Sequence, residues 1–266
     1  MKLKTMKKTI LSILFICTIT ITSQAQGLYF GGSLGYGIKA GSATLGSNNN
    51  LDGSSDVVKG SFGAGFAPSL SVGYLFNKNI GAELGLGYLF GANTTIKDNS
   101  SLPNSSIQKS GAHSFYLNPS FVIRGGEGKI VPYGKMGIFL GLANSGTNDI
   151  KTTSISNSNG ITNTDDKFTY KGGISTGLTT AFGVDFMVTD KFAIFGELFG
   201  KLASWTPSKY TAVTTMSNGS TSYTTSTSGD LVKHTPANYT GTNQSASVLP
   251  FSSIGLNFGV RYYLSK

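Results

Sequence analysis

Bulky apolar side chains alternate with small or polar ones along most of the chain after residue 27. In the first such segment, Leu28, Phe30 and Leu34 share one parity, whereas Tyr29 and Gly31 belong to the other. A period of two is typical of a β-strand whose two faces meet different surroundings. The alternation recurs seven more times, and the pattern therefore predicts eight strands. They lie at residues 28–38, 62–76, 80–90, 114–124, 133–142, 174–186, 192–202 and 253–264.

The connections between these segments alternate in length. Short links fall at residues 77–79, 125–129 and 189–191. Long links, rich in Ser, Thr, Asn and Gly, fall at residues 39–60, 91–112, 143–168 and 206–247. Short turns at one end and long polar loops at the other are typical of an up-and-down barrel that crosses a membrane. Within the last link, Thr-rich arms flank Asn218-Gly219, which predicts a β-hairpin.

The direction of the bulky face separates two classes of β-protein. A soluble sandwich or a lipocalin-type barrel also alternates, but it needs bulky side chains to fill its core. Here the opposite face is mostly Gly, Ser, Asn and ions, which suit a narrow, hydrated or ion-paired interior. The bulky face is then expected to contact lipid, where every backbone polar group needs an internal partner and the sheet must close. We predict an all-β fold, an eight-stranded antiparallel up-and-down transmembrane β-barrel with short periplasmic turns and long extracellular loops.

The first 25 residues have the order of a secretory signal peptide. Four lysines lie in the first eight positions, an apolar run spans residues 10–21, and Ser23-Gln24-Ala25 places small residues before a cut. We predict cleavage between Ala25 and Gln26, with one barrel domain over residues 26–266. The apolar run is shorter than the ~20 residues that a membrane helix needs. The single cysteine, Cys17, lies in this segment, so the mature chain has no disulfide.

The number and distribution of charged residues argue against a nucleic-acid-binding protein. Only 12% of the 266 residues are charged, against ~25% in typical domains. The formal net charge is +9, but four lysines belong to the signal peptide, which leaves 17 basic minus 12 acidic residues, or +5. The remaining basic residues are scattered singly. A nucleic-acid partner is therefore not expected.

Three local features resemble a known family. They are the Gly-rich strand motif Gly85-Leu86-Gly87-Tyr88, an inward Glu in alternating strands (Glu83 and Glu197), and the closing segment 256–264. The chain resembles the small outer-membrane β-barrel proteins of Gram-negative bacteria, the OmpA-like/OmpX-like group, over residues 27–266. The resemblance implies an outer-membrane location, contact with outer-membrane lipid and lipopolysaccharide, and recognition by the barrel-assembly machinery. That recognition would use the terminal strand, whose candidate signal residues are Phe258, Tyr262, Tyr263 and Leu264, although the chain ends on Ser265-Lys266.

Eight charged residues occupy the predicted interior face. Four of them lie four to six residues from the short-turn end of their strands, so they should reach similar heights in a tilted barrel and meet across the lumen. Buried charges need partners, so the set predicts an ion network that plugs the barrel, with a gate or selective channel as the alternative. The four are Glu83, Lys135, Glu197 and Arg261; the other members of the predicted network are Arg124, Lys171, Asp185 and Lys201.

Other chemistry is weakly represented in the sequence. His113 precedes Ser114, but adjacent strand residues point to opposite faces, so a hydrolytic pair is not expected. His234 lies in a polar loop, and neither histidine has a partner at metal-ligand spacing, so we predict no metal and no cofactor. Trp205 at the loop end of its strand suits an interfacial anchor. Carboxylates in the long loops could bind calcium at the surface, but their spacing matches no recognisable calcium motif. These residues are Asp52, Asp56, Asp98, Asp149, Asp165 and Asp166.

These observations favour a non-enzymatic outer-membrane protein with a structural role and surface contacts through its long loops. An extracellular ligand bound by those loops is compatible with this interpretation. A narrow pore for ions or small solutes is the alternative, and a lipid-modifying hydrolase is a third hypothesis.

Overall fold

The computed structural model describes residues 27–264 apart from residues 42, 102, 157–159, 219–220, 233–243 and 246. Sixteen strands make up the regular structure of this part of the chain. No helix in these residues is long and apolar enough to cross a membrane. The strands are β1 (Gly27–Lys39), β2 (Thr44–Asn49), β3 (Ser55–Lys59), β4 (Gly65–Leu75), β5 (Ile80–Gly91), β6 (Thr94–Ser101), β7 (Asn104–Arg124), β8 (Ile130–Ser156), β9 (Gly160–Lys171), β10 (Ser175–Met187), β11 (Phe192–Trp205), β12 (Lys209–Asn218), β13 (Thr221–Val232), β14 (Gln244–Ser245), β15 (Leu249–Pro250) and β16 (Ser253–Tyr263).

Part of this sheet closes on itself through antiparallel pairs. Strand β1 pairs with β4, β4 with β5, β5 with β7, and β7 with β8. The ring continues from β8 to β10, β11 and β16, and β16 returns to β1 with Phe30 opposite Tyr262. We call this set of strands the ring. Closure leaves none of its strands with an unpaired edge, which is the way a barrel satisfies its backbone groups.

The predicted all-β antiparallel architecture is confirmed, and each ring strand overlaps one of the segments predicted from alternation. The prediction of eight strands was too low for the chain as a whole. The three short links are confirmed as tight connections, from β4 to β5, β7 to β8 and β10 to β11. The strand expected from residue 62 begins instead at Gly65.

The long links contain strands that the sequence analysis assigned to loops. Strands β7 and β8, which are 21 and 27 residues long, continue past the ring, and further strands pair with their outer ends. Strand β6 pairs with β7 on one side, while β9, β12 and β13 add successively to β8 on the other. Strand β2 pairs with β3 and joins β6 through one parallel pair, Asn49 opposite Asp98. We call this extension the loop sheet. Its Thr-rich strands suit pleated pairing.

The hairpin predicted around Asn218-Gly219 is present as the β12–β13 pair, with Asn218 opposite Thr221. Its two tip residues fall outside the described residues. The predicted signal peptide, with its cleavage site between Ala25 and Gln26, also lies outside them, as does His234.

Apolar side chains cover the outer surface of the ring. Leu70, Phe182 and Leu202 are 66%, 70% and 70% exposed, and they alternate along their strands with inward residues. The inward positions include small residues and most of the buried charges. The structure therefore inverts the usual arrangement of a soluble β-protein, in which the apolar face is the buried one.

Candidate functional site

Buried apolar side chains lie at both ends of the ring interior. Near the short turns lies an apolar group that we call the inner cluster: Tyr29, Leu75, Val131, Met187, Ala193 and Tyr263. At the end facing the loop sheet lies the outer cluster: Leu89, Ala112, Phe139, Trp205 and Phe251. The polar side chains of the interior are therefore in contact with apolar clusters.

Four of the predicted interior charges meet above the inner cluster. The Lys135 Nζ atom lies 3.0 Å from Glu83 Oε1 and 2.7 Å from Glu197 Oε2. The Arg261 Nη2 atom lies 3.8 Å from Glu83 Oε2 and 4.0 Å from Glu197 Oε2. These contacts span the lumen, because the four residues belong to β5, β8, β11 and β16.

Asp185 links this quartet to the short-turn end of the ring. It forms an ion pair with Arg261 and accepts a hydrogen bond from Arg124 Nη2 at 3.2 Å. The Tyr263 hydroxyl donates to the same carboxylate at 3.0 Å. Asp185 is fully buried, so its charge depends on these three donors.

Tyrosines and an amide complete the coordination of the two glutamates. The Tyr29 hydroxyl donates to Glu83 Oε2 at 2.9 Å. The Tyr133 hydroxyl donates to Glu197 Oε2 at 2.9 Å, and Asn257 Nδ2 donates to Glu197 Oε1 at 2.7 Å. Each buried carboxylate therefore has both ionic and neutral donors, which offsets the cost of removing it from water.

The Arg261 guanidinium also packs between aromatic rings. Its Cζ atom lies 4.1 Å from the centroid of Phe195 and 4.3 Å from that of Tyr133. Cation–π attraction of this kind is strongest where water is excluded. We call the connected set the ion network. Its three acids and three bases are Glu83, Asp185, Glu197, Arg124, Lys135 and Arg261, so its formal charge sums to zero.

Two residues of the predicted network, Lys171 and Lys201, do not join the ion network. The expectation that Lys171 faces the interior was wrong: it is exposed at the end of β9, opposite Ser145 and Lys209. The segment that contains it belongs to the loop sheet, so strand parity placed it on a face but not inside the ring. Lys201 is buried inside the ring, as expected, but its ammonium contacts no acid among the described residues.

The outer cluster is built from segments that fold into the mouth of the ring. The Phe62 backbone N–H donates to the Pro250 carbonyl at 2.9 Å, and Ser61 Oγ donates to the same carbonyl at 3.2 Å. A Cβ on Gly63 would collide with the backbone of Phe251. Glycine is therefore required at residue 63 for the two segments to pack this closely.

Trp205 belongs to this cluster, and its predicted role as an interfacial anchor was wrong. It is fully buried, and its Nε1 donates to the Gly172 carbonyl at 2.8 Å. Gly146 on β8 leaves the room that the indole ring fills. The loop sheet covers this position, which a strand count alone would place at a membrane surface.

His113 and Ser114 point to opposite faces of β7. His113 is exposed, with its ring 6.3 Å from that of Tyr88, whereas Ser114 is fully buried and donates to Asn144 Oδ1 at 2.6 Å. The two side chains therefore do not meet. No group of three or more His, Cys, Asp or Glu with metal-site geometry occurs in the described residues.

Four of the six loop acids, Asp52, Asp98, Asp165 and Asp166, each make their own separate contacts. Asp165 pairs with Lys151 at 3.4 Å, and Asp166 accepts a hydrogen bond from Thr214 at 2.6 Å. Backbone and side-chain hydrogen bonds from Ser100 lower the pKa of Asp98 below its ordinary value of 3.8. The Ser54 side chain and backbone likewise lower the pKa of Asp52. The hydrogen bonds of Asp98 and Asp52 stabilise the local backbone, and this contribution would fade as the pH falls through each lowered pKa.

The aromatic residues of the terminal strand β16 and Leu264, the residue after it, lie on both faces of the ring. Phe258, Tyr262 and Leu264 are exposed on the outer surface of the ring, while Tyr263 is buried in the inner cluster. Tyr263, one of the four candidate assembly-signal residues, donates a hydrogen bond to Asp185.

No protein-family model matches the chain, and no curated protein matches it. Among solved structures, the chain is similar to the outer membrane protein OprG from Pseudomonas aeruginosa, at 13% identity and a TM-score of 0.44, over 92% of this chain and 100% of that one. It is also similar to a major outer membrane protein from Thermus thermophilus, at 13% identity and a TM-score of 0.40, over 89% and 99% of the two chains. A third similar structure is that of CarO2 from Acinetobacter baumannii, at 11% identity and a TM-score of 0.37, over 91% and 100%.

These solved structures are of outer membrane proteins in the first two cases, and no family is assigned to the chain. The resemblance to the OmpA-like/OmpX-like group therefore stays a prediction. The function proposed below rests on the chain's own side chains.

The neutral members of the site were not predicted from the sequence. Tyr29, Tyr133 and Tyr263 share the inward parity with the charges, and this parity is the signal that could have identified them as hydroxyl donors. Phe139 also has this parity, on β8. Phe251 belongs to no alternating segment, so no pattern in the sequence indicates its place in the outer cluster.

Proposed function

We propose that this protein is an outer-membrane β-barrel protein of a Gram-negative bacterium, whose ring spans the bilayer as a closed eight-stranded anchor. In this proposal the short turns face the periplasm, and the loop sheet stands outside the cell as a contact surface. The observation that supports it best is the pairing of an apolar outer wall with an interior that is filled by side chains and crossed by a charge-neutral ion network.

The dimensions and surface of the ring support a membrane location. Strands β4, β5, β10 and β16 have 11, 12, 13 and 11 residues. A tilted strand needs ~9–11 residues to cross the hydrocarbon core. A large exposed apolar surface in water would promote association, whereas in lipid it is the stable arrangement. Outer-membrane lipid and lipopolysaccharide are the proposed surroundings, with the barrel-assembly machinery as a partner during insertion.

The closed interior supports an anchor over a channel. An ion or solute would have to pass the inner cluster, the ion network and the outer cluster in turn. Opening the network would separate buried charges from their partners, which is costly in a buried site. A narrow pore for ions or small solutes is the alternative function, and it requires these layers to move.

Conductance measurements in planar bilayers separate the two. We expect the folded wild-type protein to leave the current of a lipid bilayer unchanged, because three layers of side chains obstruct the lumen. Heat-modifiable migration on gels should first show that the inserted protein is folded. Discrete current steps, altered in size by Lys135→Met, would instead establish the pore and refute the closed anchor.

The loop sheet supports the contact role. It extends β7 and β8 well past the ring and adds the exposed hairpin β12–β13, which carries the exposed ring of Tyr223. Its alternating Ser, Thr and Asn side chains offer hydrogen-bond donors and acceptors to a polar partner. An extracellular ligand of the loops would bind here.

Removing this hairpin tests the contact role. Cells that display a variant in which residues 209–232 are replaced by a short Gly-Ser linker should settle together and adhere to glass less than cells with the wild-type protein. The matched control is the double variant Lys78→Ala, Glu127→Ala, which removes an exposed ion pair at the opposite, short-turn end. Unchanged adhesion in a hairpin variant that still migrates as a folded barrel would refute the contact role.

We also propose that the protein is not an enzyme and works without a cofactor. The separation of His113 from Ser114 supports this, because a nucleophile and its base must lie within hydrogen-bond reach. A lipid-modifying hydrolase would require activity that is lost in His113→Ala.

A further inference from the structure

Lys201 is a buried cation without an ionic partner among the described residues. Its side chain projects from β11 into the ring with 7% of its surface exposed. The Nζ atom donates to the Gly63 carbonyl at 3.1 Å and lies 4.6 Å from the centroid of Phe139 and 5.1 Å from that of Phe251. A carbonyl and two ring faces supply only partial negative charge, so the ammonium lacks the counter-charge that a buried ion needs.

Ser253 lies directly opposite Lys201 in the β11–β16 register and is a second unfulfilled donor. It is 1% exposed, and its Oγ has no hydrogen-bond partner within the described part of the chain. An unpaired buried hydroxyl costs free energy, as does an unpaired ammonium. Lys201 thus lacks a counter-charge and the neighbouring Ser253 lacks an acceptor, and one small anion between them would supply both.

Both residues line a cavity in the middle of the ring. Its volume is about 80 Å³. A single water needs ~10–15 Å³ by the same kind of measure, so the cavity has room for a small anion with a few waters. The walls beside Lys201 and Ser253 are Gly37, Gly63, Phe139 and Phe199, none of which carries a negative side chain.

The other charges that line the cavity are already engaged. Lys135 pairs with Glu83 and Glu197, and Glu197 also accepts hydrogen bonds from Tyr133 and Asn257. The ion network is neutral as a whole, so Lys201 is the one lining charge that it does not compensate within the described residues.

We propose that Lys201 and Ser253 form a binding site for a small monovalent anion, of the halide class, inside the closed ring. The ammonium supplies the charge and the Ser253 hydroxyl supplies a directed hydrogen bond. The anion neutralises Lys201 and fills space between the ion network and the outer cluster.

Bromide is the probe. The thermal unfolding midpoint of the folded protein in zwitterionic detergent is measured as sodium bromide replaces sodium gluconate at constant ionic strength, since gluconate is too large for the cavity. An anion that binds only the folded state raises the midpoint in proportion to the logarithm of its concentration above the dissociation constant. A crystal grown with bromide gives the position directly, by anomalous scattering.

We expect the wild-type midpoint to rise with bromide and an anomalous peak to lie between Lys201 and Ser253. Ser253→Ala should weaken bromide binding by about tenfold, because one hydrogen bond to a charged group is lost. Lys201→Met should abolish the response while still folding, since methionine fills the stem's volume and leaves no buried charge. Lys78→Met, an exposed lysine paired with Glu127, is the matched control and should keep the full response.

An equal response in wild type, Lys201→Met and Lys78→Met would be a general salt effect and would overturn the proposal. So would a cavity that holds only water in the bromide crystal. If Lys201→Met fails to fold, the Ser253→Ala titration and the anomalous peak still decide.

Discussion

Asp185→Asn is expected to lower the free energy of unfolding by about 3–5 kcal/mol, the usual cost of removing one partner from a buried ion pair. Asp185 is the carboxylate on which Arg261, Arg124 and Tyr263 converge. Asparagine keeps the shape but removes the charge, so two buried guanidinium groups lose their shared counter-ion. Urea unfolding in lipid vesicles measures the effect, with the fluorescence of Trp205, the single tryptophan, as the probe.

The control is Lys78→Ala. It breaks the ion pair between Lys78 Nζ and Glu127 Oε2, which are 3.2 Å apart and whose side chains are both more than half exposed. Exposed pairs contribute ~0–1 kcal/mol, so this variant should unfold close to wild type. A second variant, Asp185→Asn with Arg124→Met, should recover part of the loss, because it removes one of the two stranded cations. If Asp185→Asn costs no more than the control, water reaches the network and the interior is not sealed.

Leu198→Arg should destabilise the protein in lipid by about 2–4 kcal/mol, the cost of an arginine on the lipid face near the bilayer midplane. Leu198 lies near the middle of β11, with 49% of its surface exposed on the outer wall. In a soluble protein the same change at so exposed a position would cost little and would improve solubility. Urea unfolding from lipid vesicles provides the measurement.

The matched control is Ile161→Arg on β9 of the loop sheet, where the side chain is 54% exposed and pairs across the strands with Ile155. Exposure is similar, but the position lies beyond the ring. A change within about 0.5 kcal/mol is expected there. Equal effects at the two positions would mean that the outer wall of the ring does not face lipid.

Much of the ion network could be predicted because it depends on two regular quantities. Alternation assigns Glu83, Lys135, Glu197 and Arg261 to one face, and their distance from the short turns sets their height. The structure brings these four side chains together. Their tyrosine donors follow the same parity, but a tyrosine at an inward position could equally have been packing material.

The remaining parts of the site could not be predicted from local pattern. The sequence places Lys171 and Trp205 next to predicted strands. Their surroundings, however, depend on how far β8 and β9 extend beyond the ring and on which segments cover its open end. Lys201 differs from Lys135 because no acid among the described residues lies close enough to pair with it. Whether an acid lies close depends on the register of the neighbouring strands. Phe251 closes the lumen from a segment without periodicity.

By itself the sequence determined the class of structure: strand segments, their alternating short and long connections, and one apolar face per strand. These features follow from a two-residue period and from turn chemistry, which act over a few neighbouring residues. Only the tertiary structure decided which charges are paired, that the mouth is closed, and that the long links continue as a sheet. Those outcomes depend on register and on contacts across the lumen between residues more than fifty positions apart, such as Glu83 and Lys135, and no local pattern encodes such distances.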